Sequence, residues 1–260
     1  MKSKRLKIIL LLIPLTLCQT TLTVFAEEKQ YTSKGYIEFI PDDRPTNPID
    51  PNKPDPNKPV FPWDPITPNH NPNPGTKGPL SLDYASSIDF GKNKITNKDE
   101  IYYAEAQYMW NKDHTVRDES SARPNYVQVT DNRGANAGWS LYVKQDQQLY
   151  NEQTINKELK GSQIILSEGV AVSEAEGISR PVTSEVSLVP GESSLIMKAE
   201  KNSGAGTWIE RFGTIEEVQI NGEKLLKNKA IKLFVPGATP KDAVQYKAKL
   251  LWTLINVPMD

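Results

Sequence analysis

Beyond residue 79 the chain is written in short stretches in which large apolar and polar residues alternate. In 80–90, Leu80, Leu82 and Tyr84 fall on one side, with Ser81 and Asp83 opposite. In Trp139-Ser140-Leu141-Tyr142-Val143-Lys144, the residues Trp139, Leu141 and Val143 share a face. A period of two puts successive side chains on opposite faces of a strand, so each stretch predicts a β-strand with one buried side. Further candidates are 126–129, 163–172, 185–189, 194–199, 207–211, 230–235 and 246–255. Pro190-Gly191, Asn221-Gly222 and Pro236-Gly237 punctuate them, and Asn-Gly between apolar flanks is a two-residue hairpin signal. Residues 99–111 do not choose a period, and 151–159 fit either a helical turn or a loop. The pattern predicts an all-β domain over 79–260, a two-sheet antiparallel sandwich, and its length is ample for one core.

The first 78 residues follow other rules. Lys2, Lys4, Arg5 and Lys7 precede a short apolar run, and Val24-Phe25-Ala26 offers a cleavage site, so 1–26 reads as a signal peptide. The run falls short of the roughly 20 residues that span a bilayer. A short N-terminal segment at 27–40 carries Tyr36, Ile37, Phe39 and Ile40. Between Pro41 and Pro79 lie 13 of the chain's 20 prolines, and Asp-Pro-Asn-Lys-Pro occurs twice in tandem, from Asp50 and from Asp55. Prolines at this density forbid helix and interior strand, so 27–78 predicts a disordered or polyproline-like linker, an extended stalk ahead of the domain. Trp63 is the oddity, since a linker has little use for tryptophan.

Charge and cysteine content narrow the chemistry. Loss of 1–26 removes four of 31 basic residues and none of 32 acidic ones, leaving 27 against 32, a net charge of −5. A mildly acidic secreted chain is a poor match for nucleic acid or anionic membranes. Cys18, the sole cysteine, lies inside the signal, so the mature fold has neither disulfides nor thiolate metal sites. No LPxTG-like sorting sequence precedes the C-terminus, and non-covalent retention at the surface is the expectation.

Catalysis finds no constellation. His70 sits in the proline segment and His114 in a charged loop; there is no G-x-S-x-G elbow and no H-E-x-x-H spacing. Asp99-Glu100 and Glu216-Glu217 are adjacent carboxylates, which strands point to opposite faces. No catalytic residue, cofactor or metal ligand is assigned. Aromatic residues say more, because exposed rings can stack on sugars. Trp139-Ser140-Leu141 and Trp252-Thr253-Leu254 repeat one small motif. Trp139, Leu141, Trp252 and Leu254 are the candidate sugar-contact residues, with inner-face core positions as the competing reading.

The ordered series of motifs resembles the small WxL-domain proteins of low-GC Gram-positive bacteria. It runs from the Asp-Pro/Asn-Pro stalk into Gly75–Tyr84, Ile88-Asp89-Phe90-Gly91 and Arg123–Gly134. Gly138-Trp139-Ser140-Leu141, Leu159–Ile164 and Leu250-Leu251-Trp252-Thr253-Leu254 complete it. The resemblance implies a secreted surface protein held non-covalently on the cell wall through its C-terminal domain. Peptidoglycan or another wall polymer is the presumed ligand, a membrane-anchored WxL-interacting protein and other surface proteins are further partners, and no catalytic residues are implied. Trp139 and Leu141 then correspond to the proximal motif, Trp252 and Leu254 to the distal one. The alternative is a protein–protein module or adhesin, retained at the wall by the membrane-anchored partner.

Overall fold

The computed structural model describes residues 27–220 and 222–259. The signal-peptide reading of 1–26 and the Asn221 corner lie outside the described residues. The chain divides into two units, up to Glu38 and from Phe39 onward. Residues 27–38 have no regular secondary structure and are exposed.

The described fold is built from fifteen strands. They are β1 (Leu80–Ala85), β2 (Glu100–Glu105), β3 (Gln107–Trp110), β4 (Arg117–Arg123), β5 (Tyr126–Asp131), β6 (Trp139–Gln145), β7 (Gln163–Leu166), β8 (Gly169–Val172), β9 (Val182–Thr183), β10 (Val186–Ser187), β11 (Ser193–Ala199), β12 (Gly206–Phe212), β13 (Ile215–Ile220), β14 (Glu223–Val235) and β15 (Leu250–Ile255). Among the described residues there is no helix. The ambiguous 99–111 stretch is the strand pair β2 and β3, and 151–159 is a loop.

All strand pairs are antiparallel, in the orders β1-β5-β12-β8, β10-β7-β14-β13 with β2 also on β14, and β15-β6-β11-β9, while β3-β4 forms a separate hairpin. The all-β antiparallel class stands, with three larger sheets around the core where a two-sheet sandwich was expected. β14 is the reason. Its register breaks between Asn228 and Lys232, so its first half pairs with β13 and its second with β7. Buried Asn228 holds the break, donating to Asn125 Oδ1 and the Phe212 carbonyl and accepting from Ala230 N–H. One apolar core then takes Val127, Val129 and Trp208 from the first sheet, Leu166 and Ile231 from the second, and Trp139, Leu141 and Val143 from the third.

The outer face of the first sheet is covered by the proline-rich segment, which departs from the extended spacer expected of it. Both Asp-Pro-Asn-Lys repeats are β-turns: Lys53 N–H meets Asp50 O and Lys58 N–H meets Asp55 O, while each aspartate carboxylate accepts the N–H two residues on. Asp at the first position and Pro at the second suit a type I turn, and neither Asn52 nor Asn57 has the positive φ that type II demands. The two turns double the chain back, bridging Ile49 to Pro59. The result is a strap, with Ile49, Pro62 and Asp64 buried.

Gln128 at the middle of β5 fastens this strap. Its Oε1 accepts Ile49 N–H at 2.9 Å, and its Nε2 donates to the Asn47 carbonyl at 2.9 Å and to Asp83 at 3.0 Å. Asp83 also accepts the hydroxyls of Ser81 and Thr130. Burial pushes its carboxyl above the usual range, and these three donors hold it back. All six residues of β5 are consequently buried, core on one face and strap on the other.

Glu210 on β12 is different. It lies between Trp208 and Phe212 on the core side, 0 % exposed, and both of its carboxylate oxygens are buried without a hydrogen-bond partner. Burial alone raises its pKa well above 4.5.

Two outcomes follow from this packing. Gln128→Leu leaves the Ile49 N–H and the Asp83 carboxyl short of a partner, each worth about 1–3 kcal/mol. Hydrogen exchange at the Ile49 and Val60 amides, which the strap's attachment protects, should be faster in this variant than in the parent protein. For Glu210, the folded state keeps a proton that the unfolded chain loses above about pH 4.3. Stability therefore falls as pH rises from there through the raised folded pKa, at up to about 1.4 kcal/mol per pH unit. Urea midpoints between pH 5 and 8 should drop in the parent and stay flatter in Glu210→Gln.

Candidate functional site

The two W-x-L motifs lie on neighbouring strands. β15 pairs with β6, placing Leu254 opposite Leu141 and Trp252 opposite Val143, so both motifs send their aromatic and leucine side chains to one face. The proximal motif is wholly internal: Trp139 and Leu141 are each 0 % exposed. The Trp139 indole N–H donates to the Gly204 carbonyl at 3.0 Å. Gly204 lies against the indole with φ +71°, where a side chain would collide with the ring and with Ala199. Gly138 is equally constrained, since a Cβ there would run into the backbone of Ala199 and Glu200. Neither Trp139 nor Leu141 can touch a ligand without unfolding its surroundings, and the alternation of β6 is core alternation.

The distal motif is half-buried. Trp252 and Leu254 pack on the edge of the same core, and Trp252 also walls a groove of 490 Å³. Across the groove stand Leu82 to Phe90, and its rim is the strap end from Asp64 to Thr76. Thr76 closes that rim by accepting Leu82 N–H and donating its own N–H to the Leu82 carbonyl, both at 2.8 Å.

A second feature grows from the strap. Residues Phe61 to Trp63 run along β3, with Trp63 N–H on the Tyr108 carbonyl and Trp110 N–H on the Phe61 carbonyl, both at 2.8 Å. With β4 this makes a three-stranded ribbon. Pro62, Gln107, Met109 and Ser121 are its buried residues, so period two turns Phe61, Trp63, Tyr108 and Trp110 to the other side. Trp63 is tilted against Trp110 at 4.3 Å and stacked on His70 at 4.0 Å, and Phe61 meets His114 at 4.2 Å. Arg117 lies over Tyr108 at 4.4 Å, with its guanidinium bonded to both carboxylate oxygens of Glu119. Phe61 remains 51 % exposed.

His70 and His114 serve as loop fittings in this ribbon. Both adopt positive φ; His70 Nδ1 bonds the Asp64 carbonyl, and Asn111 accepts the His114 N–H through its own carbonyl. The adjacent carboxylates Glu216 and Glu217 sit on opposite faces of β13, held by Lys229 and Lys224 respectively. Sequence reading missed Phe61, Trp110 and Arg117. The available signals were Trp63 inside a supposed linker and the Phe-Pro-Trp alternation around it.

The family model described as WxL domain surface cell wall-binding matches residues 26–258. The match takes in the strap as well as the strands, and it describes a wall-binding family rather than a family of enzymes. No curated protein and no solved structure matches the chain. Covered by that match over nearly its whole length, the chain belongs to the WxL domain surface cell wall-binding family, a secreted protein associated with the cell wall.

Proposed function

We propose that this protein attaches non-covalently to peptidoglycan by laying glycan across the aromatic face of the strap–β3–β4 ribbon. The observation that carries the reading is the row of Phe61, Trp63, Tyr108 and Trp110 on one side of the ribbon, in which Phe61 is 51 % exposed and the other three are partly buried. A pyranose ring has an apolar C–H face that gains dispersion contact against an aromatic ring, while its hydroxyls stay in water. Rings already fixed by their neighbours lose little side-chain freedom on binding. The wall-binding unit in this reading starts with the strap and not at residue 79, because Phe61 and Trp63 belong to the face. Its role is binding and display, with no catalytic step.

In this reading Trp139, Leu141, Trp252 and Leu254 are structural residues of the main core. The competing account, retention by a membrane-anchored WxL-interacting protein, places the contact on a protein and needs no glycan.

Purified protein should pellet with washed, protein-free peptidoglycan, and Phe61→Ala/Trp110→Ala should weaken pelleting by about tenfold, the equivalent of 1.4 kcal/mol. Pelleting with whole cells but not with purified wall would overturn the glycan reading in favour of the protein partner. Trp139→Ala should lower unfolding stability by about 3–5 kcal/mol. Trp252→Ala should cost clearly less in the same denaturant titration, since it removes a half-buried ring.

A further inference from the structure

Among the described residues β15 is an edge strand, with β6 as its one strand partner. Asp146 N–H donates to the Lys249 carbonyl in register with this pair. Antiparallel pairs alternate between hydrogen-bonded and non-bonded, so Leu251, Thr253 and Ile255 spend their backbone groups on β6. The N–H and C=O of Leu250, Trp252 and Leu254 point the other way. Among the described residues, none of these outward groups has a hydrogen-bond partner. They open beside the groove of 490 Å³, whose wall follows the main chain through five consecutive residues from Ala248 to Trp252. The facing strand β1 is closed off, because Thr76 already occupies the backbone of Leu82.

Elsewhere the chain carries a strand without a sheet. In Tyr36-Ile37-Glu38-Phe39-Ile40, all four large apolar residues are 73–89 % exposed, and none of the five is in regular structure. β-branched and aromatic residues bounded by Gly35 and Pro41 make a β-prone segment of ordinary strand length. Exposed apolar residues in such number mark an interaction surface.

We propose that residues 36–40 of one molecule pair as an added strand with the free edge of β15 in a second copy. Added antiparallel to β15, the segment bonds to the outward groups of Leu250, Trp252 and Leu254. Ile37 and Phe39 enter the groove beside Trp252, while Tyr36, Glu38 and Ile40 lie over the opposite face, where Glu38 meets Lys249 and Ile40 or Tyr36 covers Leu251, itself 48 % exposed. A second copy fits better than the same chain. Asp42 N–H is tied to the Asn132 carbonyl, and the neighbouring Arg133 holds the Asn256 carbonyl just past the end of β15. A segment leaving that point can run along its own β15 only in parallel, against the antiparallel pairing of every strand in the sheet. The contact is heterologous, so it closes into a dimer by reciprocal exchange or continues head to tail. It is independent of what the aromatic ribbon binds.

The test is sedimentation of the secreted chain over a concentration series. The parent should form dimers or longer assemblies, and Ile37→Asp/Phe39→Asp should weaken association by about tenfold or more with an unchanged thermal midpoint. A synthetic peptide spanning Gly35 to Pro41 should dissolve the parent assembly, and a scrambled peptide should not. A parent that stays monomeric at high concentration overturns the proposal; if its amides at 36–40 are then protected from hydrogen exchange, the segment pairs within its own chain. Equal association of the parent and the double variant overturns it as well.

Discussion

The side-chain amide of Gln128 is the joint on which the molecule's outer layer depends. β5 is the second strand of a four-stranded sheet whose inner face is sealed by the core. Its outer face carries Gln128 and Thr130 beside the bulged Asp83 of β1, a row of polar groups that burial would penalise unless every one found a partner. The strap supplies Gln128 with two backbone partners, while Asp83, Ser81, Thr130 and Thr207 satisfy one another. Gln128 reads the strap as a neighbouring strand would, accepting from Ile49 and donating to Asn47. Once residues 47–49 are held there, the paired Asp-Pro-Asn-Lys turns bring 59–63 back along β3, and the aromatic ribbon exists.

This dependence separates two roles that the duplicated motif had suggested were one. The W-x-L pair forms a ladder of core contacts between β6 and β15, with the proximal tryptophan locked by Gly138 and Gly204. Trp139 and Leu141 are wholly internal, while Trp252 and Leu254 are half-buried and Trp252 also lines the groove beside β15. The exposed chemistry is instead on the ribbon and on the unpaired edge of β15. Glu210, buried with no partner, adds a further consequence: a fold held by apolar burial tolerates this carboxyl only as the neutral acid, so stability is lost as pH rises above the ordinary carboxylate range.

The elements most readable in the sequence are those with clear period-two alternation and turn punctuation. Trp139 to Lys144, Thr207 to Arg211 and Ala230 to Val235 all lie within strands of the structure. Residues 99–111 resisted because six large apolar side chains there, Ile101, Tyr102, Tyr103, Tyr108, Met109 and Trp110, are divided between β2 and β3, which break at Ala106 and join different sheets. The proline segment misled for another reason. Local proline content rules out helix and interior strand, but it leaves both an extended chain and a chain of type I turns available, and the tandem Asp-Pro-Asn-Lys repeats select the turns.

Sequence alone determined the class of the protein: antiparallel strands, a cysteine-free core built by alternation, and the ordered motifs of a wall-binding family. These are local properties, written in the spacing of neighbouring residues. Tertiary structure alone decided which aromatic rings line the ribbon, which strand edge is left unpaired, and that the proline-rich segment folds back against β3 and β5. Each depends on pairings between residues far apart in the chain, such as Ile49 with Gln128 or Phe61 with Trp110. No local pattern encodes them, because a period of two specifies that a strand has two faces without specifying what covers either one.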